Sequence, residues 1–149
     1  MKVFTNGCFD ILHRGHLELL EYCSKLACPS GNCIIPPCWV VVGLNSDDSI
    51  KRLKGEGRPI NNQDDRKFFL ESLKFVDEVK LFDEDTPYEL IKSTRPDIIV
   101  KGGDYKPDEV VGNYLCEVKI FDFVDGYSTT NIIRNQFVYK INYERGRRT

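Results

Sequence analysis

Apolar positions along this chain fall into two kinds of block, and the kinds alternate. Nearly unbroken apolar runs at Lys2 to Thr5, Trp39 to Leu44, Glu78 to Phe82, Asp97 to Val100 and Glu117 to Phe121 predict short strands. Strands covered on both faces have no polar side, so their pattern is a run and not an alternation. Between them, apolar residues recur at helical spacing. Leu17, Leu19, Leu20 and Leu26 predict a first helix, and Phe69, Leu70, Leu73 and Val76 a later one. Tyr88, Leu90 and Ile91 follow Pro87, whose fixed φ suits a first helical turn. Ile132, Ile133, Phe137 and Ile141 line a final helix.

Strand–helix alternation of this kind predicts an α/β fold: a Rossmann-like open parallel sheet of about five strands, with helices on both faces. No internal repeat and no dividing linker interrupts it, so residues 1–149 read as one domain. In such a sheet, ligands bind beyond the carboxyl ends of the strands. Four polar or glycine-rich segments follow predicted strands: Thr5-Asn6-Gly7, Asn45-Ser46-Asp47, Lys101-Gly102-Gly103-Asp104 and Gly126 to Thr130. They should converge on one edge. No Gly-x-Gly-x-x-Gly follows the first strand, which argues against dinucleotide binding.

Composition adds limits. The chain is 41% hydrophobic and 30% charged, ordinary for a globular protein, and its formal net charge is −2. No global field attracts nucleic acid or an anionic membrane. No apolar run reaches membrane-span length and no signal peptide is evident, so the expected compartment is the cytoplasm. The basic tail over 143–149, with Arg145, Arg147 and Arg148, reads as a solvated, frayed end.

The candidate chemistry centres on the two histidines, both within Gly7-Cys8-Phe9-Asp10-Ile11-Leu12-His13-Arg14-Gly15-His16. This segment joins the first strand to the first helix. A helix start offers free N–H groups and a positive dipole end, and Gly15 lets a ligand approach the backbone. His13 and His16, three apart, share one side of the first turn. The local reading is a phosphate site with two imidazoles aimed at it.

The segment resembles the His-x-Gly-His signature of the nucleotidyltransferase superfamily that includes cytidylyltransferases. Asn45-Ser46-Asp47, Lys51-Arg52-Leu53-Lys54-Gly55, Arg58-Pro59, Arg66, Val76-Asp77, Thr86-Pro87, Pro96-Asp97, Lys101 to Tyr105 and Gly126 to Ile133 continue the resemblance in order. Within the superfamily, the chain is most similar to adenylyltransferase domains that make ADP-heptose from D-glycero-β-D-manno-heptose 1-phosphate. The resemblance implies attack of a sugar-phosphate oxygen on the α-phosphorus of a nucleoside triphosphate, ATP favoured, with Mg²⁺ accompanying the nucleotide and pyrophosphate leaving. It implies small-molecule partners, a homodimer, and no role for nucleic acid or membrane.

Residue by residue, the resemblance gives His13, His16, Lys54 and Arg66 the catalytic roles. The imidazoles would hold triphosphate oxygens, Lys54 would close over them on the Gly55-Glu56-Gly57 loop, and Arg66 would grip a phosphate with two parallel bonds. Nucleotide contacts fall to Thr5, Asn6, Gly7, Phe9, Asp10, Gly15, Lys101, Gly103, Asp104, Ser128, Thr129 and Thr130. Asp10 would act through Mg²⁺ or the site backbone, and Asp104 through the ribose or base. Substrate contacts fall to Asn45, Asp47 and Lys51. Cys8 matches the motif as a small packed residue.

The chain departs from the pattern in two places. A cysteine- and proline-rich insertion occupies 27–38, and Cys23, Cys28, Cys33 and Cys38 recur every five residues. Zinc binding is one reading. Free or packed thiols are preferred, with no metal site and no disulfide in a reducing cytosol. Between Gly112 and Glu117 the chain has only Asn113-Tyr114-Leu115-Cys116 where the related domains carry a longer helix, beside the expected acceptor site. Phe123-Val124-Asp125 stands where cytidylyltransferases usually place an arginine, which favours ATP over CTP. Two alternatives stay open: a CTP-dependent enzyme acting on glycerol 3-phosphate or a similar alcohol phosphate, and a nucleotide-binding module without catalysis.

Overall fold

The computed structural model describes residues 1–31, 38–122 and 125–136. Five strands form one sheet: β1 (Lys2–Gly7), β2 (Trp39–Asn45), β3 (Glu78–Phe82), β4 (Ile98–Gly102) and β5 (Glu117–Phe121). The order is β3-β2-β1-β4-β5 and every pairing is parallel. All five predicted strands are present, and β1, β2 and β4 run one or two residues further at their carboxyl ends than the apolar pattern does. Those extra residues are polar or glycine because they reach the rim.

Among the described residues, four α-helices connect the strands, α1 (Arg14–Ala27), α2 (Asp47–Lys54), α3 (Gln63–Glu71) and α4 (Tyr88–Thr94), with a 3-10 turn at Pro107–Glu109 between β4 and β5. Alternation along each strand sorts the core between two faces. Val3, Val40, Ile98 and Val100 pack against Leu19, Cys23 and Ala27 of α1. Val42, Leu44 and Val79 meet Leu20 of α1 and Leu70 of α3. Phe4, Val41 and Ile99 turn the other way, onto Ile91 of α4 and Val110. Each fully buried aliphatic side chain is worth about 1.5–3 kcal/mol relative to exposure. Both faces are therefore covered, as the unbroken apolar runs require.

Caps set the helix limits. The Ser46 side chain accepts from the Ser49 N–H at 3.0 Å to open α2, and Asn62 does the same for Asp65 at 2.9 Å to open α3. α2 ends at Gly55, whose φ of 97° is a left-handed value that glycine tolerates. Pro87 caps α4. The helix expected over Phe69 to Val76 is shorter than its pattern. α3 stops at Glu71, Phe69 is 43% exposed, and Leu73 and Val76 reach the core from turns. The chain must leave the helix there to enter β3 at Glu78.

A helical run covers 129–136, with the Ser128 side chain accepting from the Asn131 N–H at 3.1 Å. Phe137, Ile141 and the basic tail lie outside the described residues, as do 32–37 of the insertion. One expectation for the insertion is corrected. Cys28, the C-cap of α1, and Cys38, next to the start of β2, are both disulfide-bonded and are not free thiols. Sequence spacing alone cannot reveal that bonding. Cys23 stays a free thiol buried in the core.

Candidate active site

The strand order reverses between β1 and β4, and a cavity of about 470 Å³ opens at the carboxyl ends there. Its lining includes Asn6 and Gly7 from the end of β1, Cys8 and Phe9 just after it, His16 and Leu19 from α1, and Asn45 from the end of β2. Leu53 and Lys54 from α2, Lys101 and Gly102 from β4, Tyr105, and the segments 85–87 and 109–111 complete it. Of the expected site residues, Asn6, Gly7, Phe9, His16, Asn45, Lys54 and Lys101, from five separate stretches, line this one cavity.

The histidine segment is shaped by a strained residue. Phe9 has φ 46°, a left-handed value costly for a residue with a Cβ. That turn buries the Phe9 ring under Gly7 and against His16, with ring centroids 5.0 Å apart. His13 is the N-cap of α1 but makes no side-chain cap bond. Its ring instead stacks on His16, with centroids 3.8 Å apart and planes 22° apart. Both Nδ1 atoms are buried without a hydrogen-bond partner. Burial first, then the nearby His13 and Lys54, hold His16 down at about 4, and a backbone hydrogen bond at Ile11 opposes this. Burial likewise lowers His13. At neutral pH the pair is uncharged, and each imidazole can donate one N–H without bringing a full charge into a low-dielectric site.

Charge comes from lysines. Lys101 lies on the α4 face of β4, and its Nζ donates to Asn6 Oδ1 at 3.2 Å and sits 5.4 Å from the Tyr105 ring centre. Burial lowers its pKa, with a small opposing pull from Cys8. Among the described residues no carboxylate forms an ion pair with Lys101 or Lys54, and both line the cavity. Lys101 is partly buried and Lys54 exposed, and a cavity edged by cations without partner anions favours an anionic ligand.

The remaining expected residues sit elsewhere. Arg66 is wholly buried, and its guanidinium donates to the carbonyls of Asn61 (2.9 Å), Cys8 (2.8 Å) and Asn45 (2.9 Å) and to Asp47 Oδ1 (2.7 Å). It is spent on tying the ends of β1 and β2 to α3, so it cannot grip a phosphate as the resemblance implied. Asp47 is consumed by the same pair. Asp10, 2% exposed, accepts from Arg58 Nε at 2.7 Å and from the N–H groups of Ile60 and Asn61 at 2.9 Å. Burial would raise its carboxyl, but those hydrogen bonds outweigh it and hold it below the usual range. Lys51 is exposed, 3.9 Å from Asp48. Thr5 is fully buried with its hydroxyl unpartnered, Gly103 is buried, and Asp104 is exposed outside the cavity lining.

Gly15 is where the 126–130 segment meets α1. A Cβ there would stand 3.1 Å from the His13 ring and 3.5 Å from Tyr127 Cβ. Arg14 lies over the Tyr127 ring at 5.9 Å. Ser128 is used as a helix cap; Thr129 and Thr130 open the helical run beyond it. Phe123 and Val124 lie outside the described residues. Cavity residues not anticipated as site residues are Cys8, Leu19, Leu53, Asp85, Thr86, Pro87, Gly102, Tyr105 and Glu109 to Val111. One signal for the 85–87 wall was available: Asp-Thr-Pro stands between a strand end and a helix start, on the ligand edge.

Comparison with known proteins bears on this geometry. Residues 4–135 match the family model described as cytidylyltransferase-like. The "Bifunctional protein HldE" of a Nitratiruptor species is 57% identical over 132 residues, 88% of this chain and 26% of that protein. The protein of the same name from Campylobacter jejuni is 52% identical over 132 residues, again 88% and 26%. The chain thus spans about a quarter of the length of these curated relatives. Among solved structures, the lipopolysaccharide core biosynthesis protein from Thermoplasma volcanium is 28% identical, with a TM-score of 0.64 over 86% of this chain and 98% of that one.

Proposed function

Because this chain belongs to the cytidylyltransferase-like family, we propose that it transfers a nucleotidyl group from a nucleoside triphosphate, ATP favoured, to a sugar phosphate, releasing pyrophosphate. The observation that carries the reading is the stacked His13–His16 pair beside two unpaired lysines in the cavity at the β1–β4 reversal. An attacking phosphate oxygen is already ionised near neutral pH, so no strong general base is needed. Catalysis then rests on positioning and on stabilising charge as it develops. Lys54 and Lys101 supply positive charge, and the neutral imidazoles supply directed N–H donors at the helix start. The free N–H groups of the first turn of α1 add to the same field.

Mg²⁺ enters as part of the nucleotide substrate. Among the described residues no group of three or more His, Cys, Asp or Glu side chains could hold a metal ion, and the Asp10 carboxylate is occupied by Arg58, Ile60 and Asn61. D-glycero-β-D-manno-heptose 1-phosphate is the acceptor we favour, from the motif resemblance and from relatives at 52–57% identity. The reading includes a cytoplasmic homodimer working on small molecules, without nucleic acid or membrane. No helix among the described residues is long and apolar enough to cross a membrane.

The test is a pyrophosphate-release assay with Mg²⁺, pairing ATP or CTP with heptose 1-phosphate or glycerol 3-phosphate. Turnover with ATP and heptose phosphate, lost in His16→Ala, supports the reading. Turnover with CTP alone moves the substrate assignment. Nucleotide binding with no release from any pair would replace the enzyme with a binding module.

A further inference from the structure

Lys54 is carried on an unusual piece of chain. It ends α2 and is followed by Gly55-Glu56-Gly57. A Cβ on Gly55 or Gly57 would meet nothing within 4 Å, so this stretch is unpacked. Packing there does not determine where the Lys54 ammonium points. The next residue, Arg58, is pinned: its Nε donates to Asp10 Oδ2 at 2.7 Å, and the Arg58 side chain is 17% exposed against 1% for Asp10. Ile60 and Asn61 donate their N–H groups to the same carboxylate at 2.9 Å, and Asn61 Nδ2 donates to the Asp10 carbonyl at 2.7 Å. The second half of the Arg58 guanidinium is not used this way, since Nη2 is buried without a partner. The Arg58 side chain is thus held through Asp10, while its backbone N–H donates to the Gly55 carbonyl at 3.2 Å and closes a turn over the glycine stretch.

Asp10 in turn belongs to the histidine segment. It follows Phe9, whose left-handed turn places its ring on His16, and it precedes His13 by three residues. Lys54 and His16 face the same cavity, and the charge of Lys54 is felt at His16. The unpacked glycine stretch is therefore clamped at its far end to the element that carries the imidazoles.

We propose that Asp10 and Arg58 form a latch that sets the position of Lys54 against His16, making both of them positioning residues for the transfer step. The latch rests on the nucleotidyl-transfer reading for its kinetic consequence, but its mechanical part does not. With the latch closed, the short run from Arg58 back to Lys54 has one end fixed, and the ammonium stays over the triphosphate site. With the latch open, the last turn of α2, which carries Lys54 and is closed by the Gly55 N–H on the Lys51 carbonyl at 2.8 Å, can fray into the glycine stretch while the core and α3 remain in place. Misplacing a charged group by about 1 Å costs about 10²-fold in rate.

The experiment is a double-mutant cycle on the full chain, with Arg58→Met, Lys54→Ala and the pair, read by kcat and by KM for the nucleotide. If Arg58 acts through Lys54, Arg58→Met lowers kcat by about 10- to 100-fold, and the double variant is no slower than Lys54→Ala alone. Arg58→Lys, which keeps the charge but not the Nε geometry, recovers part of the rate. Multiplying losses in the double variant, or an unchanged kcat in Arg58→Met, would overturn the proposal. A second readout needs no turnover. Cleavage at Glu56 by a glutamate-specific protease should speed up several-fold in Arg58→Met and in Asp10→Asn. Equal cleavage rates would sink the latch whatever the activity. Silence of the wild type with every substrate pair, with Glu56 cleavage still accelerated, would reject the transfer reading and leave the latch standing.

Discussion

The His13 and His16 rings stack 3.8 Å apart, and neither Nδ1 has a partner. Two half-buried imidazoles in contact cannot both be charged cheaply, so the folded protein holds them neutral. Their protonation is consequently linked to stability. His16 sits at about 4 when folded, against an ordinary value near 6.5. The unfolded chain binds that proton more readily as pH falls, so stability is greatest above pH 6.5, declines through the window from 6.5 to 4, and then levels. Between pH 7.5 and 5 the loss from His16 amounts to roughly 2 kcal/mol. Urea unfolding at those two pH values should show it, and His16→Gln should remove most of the difference.

Removing either imidazole should affect rate more than fold. A preorganised donor is worth about 10²–10³ in kcat. His16→Ala should lose that much in the pyrophosphate assay while its thermal midpoint at pH 7.5 moves by only a few degrees. An equal loss of structure, followed by circular dichroism, would reassign the pair to the core.

Gly15→Ala separates geometry from chemistry. The new Cβ would stand 3.1 Å from the His13 ring, closer than ordinary van der Waals contact. The ring must give way, and the stack on His16 with it. The expected outcome is a fall in kcat of about 10-fold or more, with nucleotide affinity, read by titration calorimetry, reduced less than in Lys101→Ala.

Arg66→Met should behave in the opposite sense to the histidine variants. It leaves the carbonyls of Cys8, Asn45 and Asn61 without their donor, and Asp47 without its ion partner. Breaking a buried pair of this kind costs about 3–5 kcal/mol. A lowered urea midpoint is expected. Unchanged stability with lost activity would return Arg66 to the role the motif resemblance gave it.

The bonded Cys28 and Cys38 predict a reductant-sensitive stability. Reduction, or Cys28→Ser, should cost about 2–4 kcal/mol and lower the melting temperature, with the thiol state read from intact mass before and after reductant. Identical melting with and without reductant would show that these thiols are not bonded in solution.

The fold was legible because its information is local. The apolar runs of β1 to β5 and the leucines of α1 announce their own conformations, and strand–helix alternation admits few arrangements besides a parallel sheet. The edge that carries the candidate site was legible for the same reason: Asn6, Gly7, Asn45 and Lys101 all stand where apolar runs give way to polar residues at strand ends. The histidine segment needed only its own spacing. Phe69 was misleading because helical periodicity does not say where a helix must stop to let the chain re-enter the sheet.

What the sequence by itself determined was which elements form, and that polar and glycine-rich residues collect where strands end. What only the tertiary structure decided was how each charge at that edge is spent. Asp10 and Arg66 look as available in the sequence as Lys54 and Lys101. Their partners, Arg58 for one and the carbonyls of Cys8 and Asn45 for the other, lie 21 to 58 residues away along the chain. A buried charge is free to bind a ligand only if no neighbour has already neutralised it. Which neighbours arrive is set by the crossing of distant segments, and one-dimensional spacing carries no record of that.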